Sequence, residues 1–136
     1  MLAYQNIQQD WLEYQGIPLP KDVNNACKSA SEEWRILQPS SEKEYIDFYQ
    51  SSKNYLFDPL TFALTTRRRL QFLKYKKIND SLEVQTILDY GGGGGCDSVE
   101  LSHKYHVDYF DVNPVFREFV KFRKEKYRLN NLNVLS

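Results

Sequence analysis

The residues with the most specific chemical promise are Asp89-Tyr90-Gly91-Gly92-Gly93-Gly94-Gly95. An acidic side chain followed by glycines at alternate positions suits a backbone turn that a ligand must approach closely. Glycine has no Cβ to block that approach and takes positive φ freely. If a helix follows the turn, its first N–H groups point at the ligand. A second acid, Asp111, lies about twenty residues past the first glycine. That is the expected place for a carboxylate that accepts hydrogen bonds from ribose hydroxyls.

These residues need a strand, a turn and a helix to hold them. Val84 to Tyr90 is an apolar, β-branched run that reads as a buried parallel strand. Asp97 to Tyr105 reads as a helix and Val107 to Val112 as a second strand. Pro114 then opens a helix with Val115, Phe116, Phe119, Val120 and Tyr127 at helical spacing. Asn133-Val134-Leu135 resembles the start of a third strand. Alternation of this kind implies a βαβαβ unit with right-handed crossovers on a parallel sheet. The fold class is therefore α/β, with residues 1–80 as a helical N-terminal cap and residues 81–136 as a partial sheet.

The first eighty residues read as helices. One spans Tyr4 to Tyr14 and is stopped by Gly16-Ile17-Pro18-Leu19-Pro20. A second, capped by Asp22, runs through Leu37. Ser41 and Glu44 have capping-box spacing ahead of an aromatic stripe of Tyr45, Phe48 and Tyr49. A longer helix is expected after Asp58-Pro59, with Leu60, Ala63, Leu64, Leu70 and Leu73 among its apolar positions.

With those elements in place, Asp89-x-Gly91-x-Gly93-x-Gly95 resembles the first motif of class I (Rossmann-like) S-adenosylmethionine-dependent methyltransferases. Asp111-Val112-Asn113-Pro114 resembles the acidic motif at the end of that family's second strand. The resemblance covers Val84 to Leu135, and the preceding helices suit the variable cap of the family. It implies a methyltransferase that uses S-adenosylmethionine, with this chain carrying the cofactor-binding half. Gly91, Gly93 and Gly95 would lie under the methionine and ribose parts, Asp89 would hold the amino-acid end, and Asp111 would bind the ribose. Five glycines exceed what that motif requires, and the loop is expected to be mobile when empty.

Two other functional readings remain open. One is a non-catalytic nucleotide- or cofactor-binding module. The other is an NAD-dependent oxidoreductase, although the Gly-x-Gly-x-x-Gly/Ala fingerprint read from Gly91 ends on Cys96, and read from Gly92 ends on Asp97. His103 and His106 lack the neighbours of a metal site, and none is expected. The basic run from Arg67 to Lys77 reads as a solvated helix face, with nucleic-acid contact the less favoured use. The aromatic stripe reads as packing, with a role in a cleft kept open. No catalytic residue is assigned, and the methyl acceptor is unknown.

Composition sets the outer bounds. The 136 residues are 41% hydrophobic and 15% aromatic, the makeup of a folded chain and not a disordered one. With 18 acidic and 18 basic side chains, no net field draws it to nucleic acid or anionic lipid. Two cysteines in unrelated contexts make no disulfide framework, so a reducing cytoplasmic setting is expected. No apolar run approaches the roughly 20 residues that span a bilayer, so no membrane role is expected. The sheet should be incomplete, with the second and third strands on one side of the first and nothing on the other. The expectation is therefore a fragment of a longer enzyme, or a homo-oligomer pairing across the exposed edge.

Overall fold

The computed structural model describes residues 2–136. Helix α1 (Leu2–Gln15) buries Ala3, Tyr4, Ile7 and Trp11, the single stripe that 3.6 residues per turn puts on one face. It closes at Gly16, whose N–H bonds the Leu12 carbonyl at 2.8 Å with φ at 74°. Helix α2 (Val23–Leu37) is capped by Asp22, which accepts from the Asn25 N–H at 3.0 Å. Helix α3 (Glu42–Ser51) opens with the full capping box: Ser41 accepts from the Glu44 N–H while Glu44 accepts from that of Ser41.

The single long helix expected after Asp58-Pro59 is two helices. Helix α4 (Lys53–Phe62) starts earlier, under a Ser52 cap on the Tyr55 N–H, and carries Pro59 inside it. A proline there removes one ladder bond, which a short, well-packed helix tolerates. The chain then turns through Ala63, Leu64 and Thr65, and the Thr65 hydroxyl caps helix α5 (Thr66–Ser81) on the Arg68 N–H. The break rotates the apolar register. Phe72 is buried, whereas Leu70 and Leu73, expected as apolar contacts, are exposed.

Three parallel strands follow in the order β1-β2-β3: Thr86–Tyr90, His106–Phe110 and Leu132–Val134. Helix α6 (Cys96–Leu101) joins β1 to β2, and α7 (Pro114–Tyr127) joins β2 to β3. The molecule is thus mixed α/β with a small parallel sheet, as the alternation implied. Helix α6 is shorter than expected, ending at Leu101 before a turn into β2. Asn113 caps α7 through the Val115 N–H, with Pro114 in the first helical position.

Side chains alternate across the sheet. Ile87, Val107, Tyr109 and Leu132 point into the helices and are buried. On the other face Leu88 and Tyr90 are 62% and 77% exposed, so β1 is not the buried strand its apolar run suggested. Its outer edge has no partner strand among the described residues, and β2 and β3 both lie to its other side. One hydrophobic cluster joins Tyr4, Ile7, Trp11, Leu60 and Phe72 of the helical segment to Val107, Tyr109, Phe116 and Phe119. Among the described residues no helix is long and apolar enough to cross a membrane.

Candidate functional site

The glycine run sits between the end of β1 and the start of α6, and each glycine has a local reason. Gly91, Gly93 and Gly95 hold φ of 76°, 52° and 67°, the left-handed region that side chains disfavour. Gly92 and Gly94 lack space instead. A Cβ at Gly92 would lie 2.6 Å from the Asp89 carboxylate and from the Tyr109 ring, and one at Gly94 would lie 2.7 Å from Leu60. The glycines beyond the alternating motif are thus explained by close packing against the helical segment and β2.

The loop is held by three side chains and by the backbone at the end of β2. The Gly93 N–H donates to Asp111 Oδ2 at 2.9 Å, and the Tyr109 hydroxyl donates to the Gly93 carbonyl at 2.5 Å. Arg123 Nη1 donates to the Gly94 carbonyl at 2.9 Å, and the Gly91 N–H bonds the Phe110 carbonyl at 2.8 Å. Four anchors leave little freedom for a loop expected to be mobile, and the turn is preformed.

Asp111 stands directly after β2, where the sequence placed it, but faces inward. It is 1% exposed and does not line the cavity beside the loop. Oδ2 takes the Gly93 N–H, and Oδ1 takes the Asn113 N–H at 2.8 Å. In this arrangement it latches β2 to the glycine loop and presents no open oxygen to a ribose.

Asp89 does line that cavity, which has a volume of about 160 Å³. Burial holds its carboxyl above the ordinary carboxylate value, and a 2.5 Å hydrogen bond from the Ser98 hydroxyl opposes that rise. Gly91 and Gly93 line the same space, while Gly95 lies behind it as the N-cap of α6. A neighbouring cavity of about 230 Å³ shares Arg68, Asp89 and Asp97 and opens along β1.

Sequence reasoning did not find the opposite wall. Tyr4 from α1, Arg68 from α5 and Asp97 from α6 converge there. Arg68 Nη2 lies 2.5 Å from Asp97 Oδ2, the Tyr4 hydroxyl donates to Asp97 Oδ1, and the guanidinium stands 5.8 Å above the Tyr4 ring. Burial, then the Asp97 charge, drives the Tyr4 hydroxyl far above its ordinary value, so it stays a neutral donor. Asp89, Asp97 and Arg68 leave the site with one carboxylate in excess when all are charged. It can therefore receive a cationic group against Asp89 over a backbone floor without side chains, and a single anionic group reaches Arg68 only by displacing Asp97 from it.

Comparison of the sequence with protein-family models finds no match, and comparison with curated proteins finds no relative.

Proposed function

We propose that this cleft binds S-adenosylmethionine and that the chain is the cofactor-binding half of a class I, Rossmann-like methyltransferase. Three parallel strands with all crossovers helical fit the first half of a doubly wound sheet, in which ligands sit beyond the carboxyl ends of the strands. The observation that carries the reading is the pairing of a preformed glycine floor with two carboxylates and one guanidinium. Arg68 would hold the carboxylate of the methionine moiety and Asp89 its ammonium group, with Gly91 and Gly93 beneath the sulfonium and ribose. When bound, the cofactor supplies an electrophilic methyl group on a sulfonium.

The same charges argue against a dinucleotide. A pyrophosphate placed on the glycine turn would meet Asp97 in the first turn of α6, at the position a dinucleotide fingerprint gives to its last glycine. A sulfonium cofactor has no phosphate and fits an acidic surround. The protein's part in methyl transfer is then positioning, by a rigid floor and a fixed amino-acid clamp. The acceptor is left open, and a reducing cytoplasmic setting suits two cysteines that remain unpaired.

Isothermal titration of the purified chain with S-adenosylhomocysteine, with NAD in parallel, tests the assignment. Saturable binding of S-adenosylhomocysteine alone, weakened in Arg68→Ala, supports it. Binding of NAD alone, or of neither compound, overturns it for this chain.

A further inference from the structure

The aromatic stripe of α3 does more than pack. Trp34 of α2, Phe48 and Tyr49 of α3, and Tyr55 of α4 line an open surface cleft of about 260 Å³ with Asp58 at its side. The rings fix one another. Tyr45 stacks on Trp34 at 5.5 Å and 11°, Phe48 meets Trp34 edge-on at 5.0 Å, and Tyr49 meets Tyr55 edge-on at 4.7 Å. The Asn113 amide donates to the Tyr49 carbonyl at 2.8 Å and ties this wall to the start of α7. The walls are therefore set before any ligand arrives.

The charge in the cleft has one sign. Asp58 is the only ionisable acid or base among its lining residues apart from the tyrosines. Among the described residues no Lys, Arg or His forms an ion pair with it. Burial raises its carboxyl above the ordinary value, with the Cys27 thiol acting in the opposite direction. The Tyr55 hydroxyl is pushed up to about 12, first by burial and then by the Asp111 charge, so it remains neutral. An unpaired carboxylate among aromatic rings attracts a weakly hydrated cation, which the rings' negative faces also favour. Asp58 is the only carboxylate in the lining, whereas a hard metal ion takes about six or more oxygen ligands.

We propose that the Trp34–Tyr49–Tyr55 cleft binds an organic ammonium group, with Asp58 as its counter-charge. The site needs nothing from the cofactor reading, and its test contains no S-adenosyl compound, so either assignment fails without the other.

The test is a fluorescence titration of the intact chain with choline, against its neutral tert-butyl isostere and against sodium chloride at matched ionic strength. Trp34 lies in the cleft and Trp11 in the core, and Trp34→Phe identifies the reporting ring. The expected result is a saturable change with choline and none with the isostere. Asp58→Asn, at a half-buried position where the amide keeps the shape, should weaken choline about tenfold. Equal responses to choline and the isostere, a choline response no larger than that of salt, or unchanged affinity in Asp58→Asn would each overturn the proposal.

Discussion

Arg123 of α7 and Asp10 of α1 form an ion pair at 2.9 Å with both side chains fully buried. The remaining guanidinium nitrogens end on the carbonyls of Gly94 and Ala3, at 2.9 and 2.6 Å. Lys126 and the Tyr127 hydroxyl reach the other Asp10 oxygen. One arginine therefore fastens the first helix, the glycine loop and the last helix together.

Removing it alone should be severe. Arg123→Met strips Asp10 Oδ2 of its partner, leaves the buried carboxylate only Lys126 and Tyr127 on Oδ1, and frees the Gly94 and Ala3 carbonyls from the guanidinium, at a cost of about 3–5 kcal/mol. Urea unfolding followed by circular dichroism measures this. The double variant Asp10→Leu with Arg123→Met should recover much of the loss, because no half-satisfied carboxylate then remains inside and Lys126 keeps Glu13. A single variant as stable as the parent would show that the pair contributes little.

The glycines separate two kinds of cost. Gly91→Ala meets no atom within 4 Å and should lose only the left-handed penalty, about 1–2 kcal/mol. Gly94→Ala has ordinary φ but drives a methyl group into Leu60 and Ile7, so its loss of about 1–3 kcal/mol comes from overpacking. Trimming Leu60 to Ala should relieve the clash in Gly94→Ala and do nothing for Gly91→Ala. Leu60 is fully buried, so its truncation has a cost of its own. Thermal unfolding of the parent, Leu60→Ala, both glycine variants and both double variants resolves the two mechanisms.

Asp111 gives a direct contest between a latch and a ribose ligand. As a latch, Asp111→Ala frees two buried N–H groups and should lower stability by about 1–3 kcal/mol with no ligand present. A residue that only touched the ribose would leave the unliganded chain unchanged and weaken S-adenosylhomocysteine alone. Unfolding and titration of the same variant distinguish the two.

The raised carboxyl of Asp89 predicts the sign of a pH effect. Between the ordinary value of 3.8 and the higher folded value, the folded chain keeps a proton that the unfolded chain has lost. The stability supplied by that proton is complete below the ordinary value and is lost as pH rises through the folded one. Asp89→Asn cannot titrate, so subtracting its stability curve from the parent's should leave a difference that declines across this window. A difference that rises instead would place the carboxyl below its ordinary value.

What could be read in advance was local. Asp22 and the Ser41–Glu44 box announce their helices within four residues, and Asn113-Pro114 marks the start of α7 equally plainly. The glycine turn and its flanking acids follow a spacing that sequence preserves. Pro59 misled because a proline inside a short helix looks like one that starts it. Leu88 and Tyr90 misled because an apolar residue reads the same whether or not anything covers its face of the sheet. Tyr4, Arg68 and Asp97 form a cluster only in space, and nothing marks Arg68 apart from Arg67 and Arg69 beside it. The inward turn of Asp111 depends on where Gly93 ends up, which spacing alone does not convey.

The bond between Asp10 and Arg123 spans 113 residues. On a ribosome adding ~5–20 residues per second, α1 waits roughly 6–23 s for the helix that completes its docking. During that interval Tyr4, Ile7 and Trp11 have no finished core to enter. The growing chain thus leaves the apolar face of α1 uncovered throughout that interval, which makes that stretch a natural point of call for chaperones during synthesis.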